Sequence, residues 1–136
     1  MQIEVLGESQ IDDAIALWHA AGLTRPWNDP GEDVRRALEG PASTVLAGVE
    51  EGSLLATAMV GYDGHRGWVY YLAVGTEARR RGHGRALMRA CEDWLTQRGI
   101  PKVNLMVRGE NLTARDFYAA LGYGVDDVLV LSRRLR

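Results

Sequence analysis

Residues 68–99 read WVYYLAVGTEARRRGHGRALMRACEDWLTQRG. The first seven are aromatic, β-branched or otherwise apolar, too apolar for a solvated edge, and they predict a central strand. From about Gly82 to Arg98, residues Ala86, Leu87, Ala90, Cys91, Trp94 and Leu95 recur on one face of a 3.6-residue repeat. That spacing predicts a long helix, stopped by Gly99 and Pro101. Between strand and helix lies a glycine-bearing turn with three successive arginines, Arg79, Arg80 and Arg81. A strand, a Gly-rich turn and a helix N-terminus form a general anion-binding device, because unpaired backbone N–H groups point outward with the positive end of the helix dipole behind them. The spacing is neither the G-x-G-x-x-G of a dinucleotide fold nor the G-x-x-x-x-G-K-[ST] of a P-loop.

Working outward, QIEVLG (2–7) alternates as a strand does. Ser9 and Asp12 form a capping signature for a first helix carrying Ile11, Ala14, Ile15, Trp18 and Ala21, ending near Gly22. In LTRPWNDPGED (23–33), Asp29 suits an N-cap, Pro30 the first helical position and Glu32 a capping box, so a second helix runs to about Gly40. STVLAGVE (43–50), the turn EGS (51–53) and LLATAMVGYD (54–63) read as a hairpin. KVNLMV (102–107) reads as a strand, NLTARDFYAALG (111–122) as a helix capped by Asn111, and VDDVLVLSRRL (125–135) as a final strand. The order β-α-α-β-β-β-α-β-α-β implies an α/β (α+β) three-layer fold on one mixed sheet, read as a single domain over residues 1–136.

Composition bounds the function. With 46% apolar and 25% charged residues over 136 positions, the chain is an ordinary globular one. A net charge of −2 supplies no global field for nucleic acid, and no basic helix face or aromatic stacking series accompanies the arginine cluster. No nucleic-acid partner is expected. Lys102 is the only lysine, so nearly all positive charge is guanidinium, which pairs bidentately with phosphate or carboxylate. Cys91 is the only cysteine, which excludes an intrachain disulfide and a Cys-based zinc cluster. It reads as buried filler, and no metal is expected. No signal pattern and no apolar run near 18 residues is present, so a cytoplasmic protein without a membrane partner is expected.

Arg79-x-x-Gly82-x-Gly84 resembles the R/Q-x-x-G-x-G/A signature of the GCN5-related N-acetyltransferase (GNAT) superfamily. NLTARDFYAALGY (111–123) resembles its N-x-x-A-x-x-F-Y-x-x-L-G-[FY] segment, at the expected separation. LTRPWNDP (23–30) and GYDGHRG (61–67) look like a small bacterial subfamily catalogued as YpeA-type. The resemblance covers essentially the whole chain. It implies a mostly antiparallel sheet of six to seven strands, about four helices and a splayed pair of parallel strands. It also implies transfer of the acetyl group of acetyl-CoA to a primary amine, either a small amine or a peptide N-terminus, by direct attack in a ternary complex.

Carried over residue by residue, the backbone N–H groups of Arg81, Gly82, His83 and Gly84 would hold the pyrophosphate. Arg79 and Arg80 would lie nearby or reach the 3′-phosphate, with Arg85 a further candidate. Leu72, Ala73 and Val74 would line the pantetheine arm and the thioester, where an N–H donor stabilises developing charge on the carbonyl oxygen. Asn111 would touch the same arm or serve only as a cap. Tyr118 matches the tyrosine that protonates the leaving thiolate, for which a phenol is suitably basic; packing with Phe117 and Leu121 is the alternative.

The chain departs from better-known members in lacking a carboxylate on WVYYLAV. Proton removal from the acceptor would then fall to a water chain, to Tyr70 or Tyr71 with a neighbour, or to a titratable group from elsewhere, of which Asp63, His65, Glu50 and Asp29 are candidates. Trp27, Asn28 and Asp29 sit in the loop that the family places beside the acceptor. A sensor or scaffold that binds acetyl-CoA without turnover is the alternative function. The final strand, as a sheet edge, leaves a homodimer open.

Overall fold

The computed structural model describes residues 1–135. The chain comprises two compact units, Met1–Met106 and the stretch from Val107 onward. The first holds one five-stranded sheet, with β1 (Gln2–Val5), β2 (Ser43–Glu50), β3 (Ser53–Tyr62), β4 (Gly67–Val74) and β5 (Val103–Leu105) lying in chain order across it. Among the described residues three neighbouring pairs are antiparallel, and β4 and β5 alone run parallel. They are joined by the crossover helix α3 (His83–Gln97), as a parallel connection requires.

The hairpin between β2 and β3 closes on Glu51 and Gly52, both in the left-handed region at φ +52° and +79°. That two-residue turn matches the right-handed twist of the flanking strands. Helix α1 (Ile11–Ala20) is entered through a short 3₁₀ turn at Glu8–Gln10. Its closing contact is Gln10 Oε1 accepting from Gly7 N–H at 2.7 Å, rather than the expected Ser9 and Asp12 signature. Helix α2 (Pro30–Glu39) begins as the sequence predicts, with Asp29 Oδ1 accepting from Glu32 N–H at 3.1 Å and Pro30 in the first position.

Leu6, Ile11, Ala14, Trp18, Val34 and Ala37 form a buried cluster with Val45, Ala47 and Ala73 on one face of the sheet. Successive strand residues point to opposite faces, so Ala56, Ala58 and Val60, all fully buried, serve the other face. There α3 buries Leu87, Met88, Cys91 and Leu95. Gly67 is small for a packing reason: a Cβ there would lie 2.5 Å from Leu95 Cδ1. Burial, and next the charge of Glu92, push the Cys91 thiol up to about 12.

The second unit contains α4 (Leu112–Ala120), capped by Asn111 Oδ1 accepting from Ala114 N–H at 3.1 Å. The expected sheet of six to seven strands is therefore one of five, and the strand expected over 125–135 is not formed. Val125, Leu129, Leu131 and Leu135 are each at least 88% exposed. A β-prone run becomes a strand only by pairing its backbone and burying one face, and here neither condition is met. Among the described residues no helix is long and apolar enough to cross a membrane.

Candidate active site

β4 changes character half way along. From Gly67 to Val69 it is hydrogen-bonded in parallel to β5, with Gly67 opposite Val103 and Val69 opposite Leu105. Beyond Val69 that pairing ends, while β4 continues to Val74 against β3 on its other side. The outer edge of Tyr70–Val74 is thus open among the described strands. Gly75 N–H donates to Leu55 O on the β3 side at 2.8 Å. By alternation, Val74 and Leu72 present their backbone groups to the open edge and Ala73 faces β3.

A bulge sits where the edge opens. Register shifts between Thr57 and Met59, so that Ala73 opposes Thr57 while Tyr70 opposes Met59. Tyr71 takes up the extra residue at φ +52°, a strained conformation for a bulky side chain. Its ring stacks on buried Trp18 at 4.0 Å between centroids and 14° between planes. Trp18 Nε1–H donates to Thr57 Oγ1 at 2.8 Å, and the Thr57 hydroxyl donates to Tyr71 O at 2.9 Å. The Tyr71 hydroxyl donates to Asp33 Oδ2 on α2 at 2.7 Å. Burial first, and next the hydrogen bond to Asp33, raise the Tyr71 pKa well above the ordinary phenol value. Tyr70 is also raised, by burial and then by the charge of Asp63. Any part Tyr71 takes in proton removal would therefore run through its neighbour Asp33.

The open edge leads into the arginine turn, where the three successive guanidiniums have three different fates. Arg79 Nε donates to Val74 O at 3.3 Å. Arg81 Nη2 pairs with both carboxylate oxygens of Glu50, at 2.9 and 3.1 Å. Arg80 is exposed, has no partner among the described residues, and sits in the left-handed region at φ +63°. Gly82 caps α3 at φ +80°, with nothing within 4 Å of where a Cβ would stand, so the constraint there is conformational and the space is open. It offers no capping side chain, which leaves the first N–H groups of α3 without a side-chain acceptor. His83, the first residue of α3, is 8% exposed, and its Nε2 has no hydrogen-bond partner. A groove of about 340 Å³ continues from Gly82 along α3 past Arg85 and Arg89 to Asp93, beside Ile3.

The remaining candidates separate. Glu50 is occupied by Arg81 and lies 3.5 Å from the N-terminal amine; the Arg81 hydrogen bond holds its carboxyl below the usual range. Asp63 accepts from Arg66 N–H at 2.8 Å, His65 N–H at 2.9 Å and Trp68 Nε1–H at 3.1 Å, which lower its pKa to about 2. It organises the turn into β4. His65 is exposed beside Arg66, and Asp29 is the α2 cap. Asn28 N–H closes a turn on Arg25 O, and Trp27 is 55% exposed in the same loop. In the second unit, Tyr118 packs edge-on against Phe117 at 5.0 Å and Tyr123 at 5.8 Å. Asp33 is a residue that sequence reasoning missed: it stands 38 positions from Tyr71, and only the fold joins them.

A lowered carboxyl stabilises the fold above its unfolded pKa and loses that contribution as pH falls through the folded value. Wild type is therefore expected to lose thermal stability between about pH 4 and pH 2. Asp63→Asn should start lower at pH 6 and show a shallower acid decline in melting scans. Parallel curves would remove Asp63 as the source.

The family model described as the acetyltransferase (GNAT) family matches residues 12–123. An acetyltransferase of Yersinia enterocolitica is 40% identical over 135 residues, covering 99% of this chain and 96% of the relative. One from Sodalis glossinidius is 42% identical over 136 residues, with 99% and 96% covered. Among solved structures, a putative acetyltransferase from Agrobacterium tumefaciens superposes with a TM-score of 0.83 at 18% identity, covering 98% of this chain and all of that one. AAC(6′)-Iy, solved with the bisubstrate analogue CoA-S-monomethyl-acetylneamine, superposes with a TM-score of 0.83 at 16% identity, covering 98% and 97%.

Proposed function

The chain belongs to the GNAT family of acetyltransferases, and on that premise we propose that residues 1–136 act as one domain moving the acetyl group of acetyl-CoA to a primary amine, by direct attack in a ternary complex. Acetyl-CoA is the family's acetyl donor and supplies an activated thioester. The observation that carries the reading is continuous in space: β4 opens at Tyr70 and leads into a turn bearing an arginine without a partner among the described residues and a helix N-terminus. The chain's residues fit the donor. Leu72 offers both backbone groups and Val74 its N–H to an extended polar arm, the Val74 carbonyl already accepting from Arg79, and the N–H groups of His83, Gly84 and Arg85 suit a pyrophosphate. His83 Nε2 is a buried polar atom lacking a protein partner, and such atoms are rare unless a ligand or water completes them. Of the three successive arginines, Arg80 is the one left for a phosphate, because Arg79 and Arg81 are engaged within the protein, and Arg85 on the α3 groove is a further candidate. Tyr118 is assigned the proton donated to the departing thiolate.

The test is calorimetric titration of acetyl-CoA, coenzyme A and dephospho-CoA, followed by thiol release over an amine panel. Arg80→Ala is expected to weaken coenzyme A by roughly tenfold, the order of one charge-assisted hydrogen bond at an exposed site. Arg81→Ala should leave the affinity near wild type. Arg80→Gly should weaken binding equally while raising stability by about 0.5 kcal/mol, because relief of left-handed strain is partly offset by glycine's greater freedom in the unfolded chain. If none of the three coenzymes binds, the reading fails; tight binding without turnover on any amine would favour a sensor.

A further inference from the structure

We propose that the Asp33 carboxylate, held by the Tyr71 hydroxyl where β4 opens, receives the acceptor in its ammonium form, which gives up one proton to solvent before the freed amine attacks, so that the acceptor is a cationic alkylamine. The proposal rests on the transferase reading and deepens it by naming the acceptor class.

Four elements fix a single phenol. α1 supplies the Trp18 ring, β3 the Thr57 hydroxyl, β4 the bulge and α2 the carboxylate. A bulky residue in the left-handed region persists only where its surroundings over-determine it, and such positions cluster at functional sites. Packing against Trp18 alone would be served by phenylalanine. The hydroxyl adds a fixed address for Asp33, one residue before the open backbone of Leu72–Val74.

Of Asp33, Glu50, Asp63 and Asp29, Asp33 is the carboxylate left available beside β4. Glu50 is paired with Arg81, Asp63 is filled by two backbone N–H groups and an indole N–H, and Asp29 caps α2. Asp33 is half-buried, accepts one hydrogen bond to Oδ2, and has no cation beside it among the described residues. The nearest arginines in sequence are engaged elsewhere: Arg35 donates to Gly31 O and Arg36 pairs with Glu32. A carboxylate in a partly desolvated place without a positive partner suits a cation brought by a ligand. The same face of β4 carries Trp68 stacked with Tyr70 at 6.4 Å, and aromatic faces attract ammonium groups. Asp33 would be the group touching the acceptor, and Tyr71 a positioning residue acting through it.

Asp33→Asn keeps the shape and the Tyr71 hydrogen bond and removes only the charge. The probes are an alkylamine, a diamine, a triamine, a dipeptide with a free N-terminus, and an aryl amine that is neutral at pH 7. Each is titrated into enzyme saturated with coenzyme A, then assayed for turnover with acetyl-CoA. Kd and KM of the best cationic amine are expected to rise roughly tenfold or more in Asp33→Asn. The aryl amine and the KM for acetyl-CoA should be unchanged. Asp33→Glu should recover part of the loss, and Tyr71→Phe should shift the amine KM in the same direction by less. Equal shifts for cationic and neutral amines, or no Asp33-dependent amine binding at all, would overturn the proposal. Asp33-dependent binding in an enzyme that turns over no amine would support this site and sink the transferase reading alone.

Discussion

In Tyr118→Phe, kcat is expected to fall by about 10²- to 10⁴-fold, the usual worth of a positioned general acid, if the proposed role holds, while the KM for acetyl-CoA should stay near wild type. The reason for a kcat effect without a KM effect is that a proton needed only as the C–S bond breaks contributes nothing to holding the thioester beforehand. The substitution is conservative in packing. The ring keeps its edge-on contacts with Phe117 and Tyr123, and Asn111 still caps α4, so the second unit should retain its fold. Single-turnover acetylation of the best amine is the measurement to make, because it isolates the chemical step from product release. An unchanged rate would reduce Tyr118 to a packing residue.

Trp18→Ala is expected to cost about 3–5 kcal/mol in urea unfolding, the range for deleting a fully buried large aromatic. Trp18 has no exposed surface. Its loss opens a cavity in the core of α1 and α2, removes the ring stacked on Tyr71, and takes away the donor to Thr57. Trp18→Phe separates these effects in part: it retains a ring against Tyr71 but loses the indole N–H and part of the ring volume, so about 1–3 kcal/mol is expected, less than for Trp18→Ala. If Trp18→Ala costs no more than Trp18→Phe, the ring is not what supports the bulge.

What could be read from the sequence was local. The Asp29, Pro30 and Glu32 cap, the Glu51–Gly52 turn, the Asn111 cap and the glycine-arginine turn each depend on residues a few positions apart, where spacing and backbone preference decide the outcome. The long helix was equally plain, because Leu87, Cys91 and Leu95 keep one face through its length. Two kinds of information were not there. The first is partnership across the fold. Arg81 and Glu50 lie 31 positions apart, and Trp18 and Thr57 39 apart, so the fates of three adjacent arginines and the support for Tyr71 emerged only from the packed sheet. The second is whether a β-prone run finds an edge. Residues 125–135 have the composition of a strand, but composition does not supply the neighbour a strand needs.

The lone thiol of Cys91 makes the protein silent to the reagent that would follow its reaction. A thiol-reactive dye reports coenzyme A as it is released, and a cysteine with no exposed surface, its ionisation pushed up to about 12, contributes no background. The same silence becomes a clock once denaturant is added. Labelling of Cys91 requires α3 to part from the sheet, so its rate measures how often that layer opens while the chain is otherwise native.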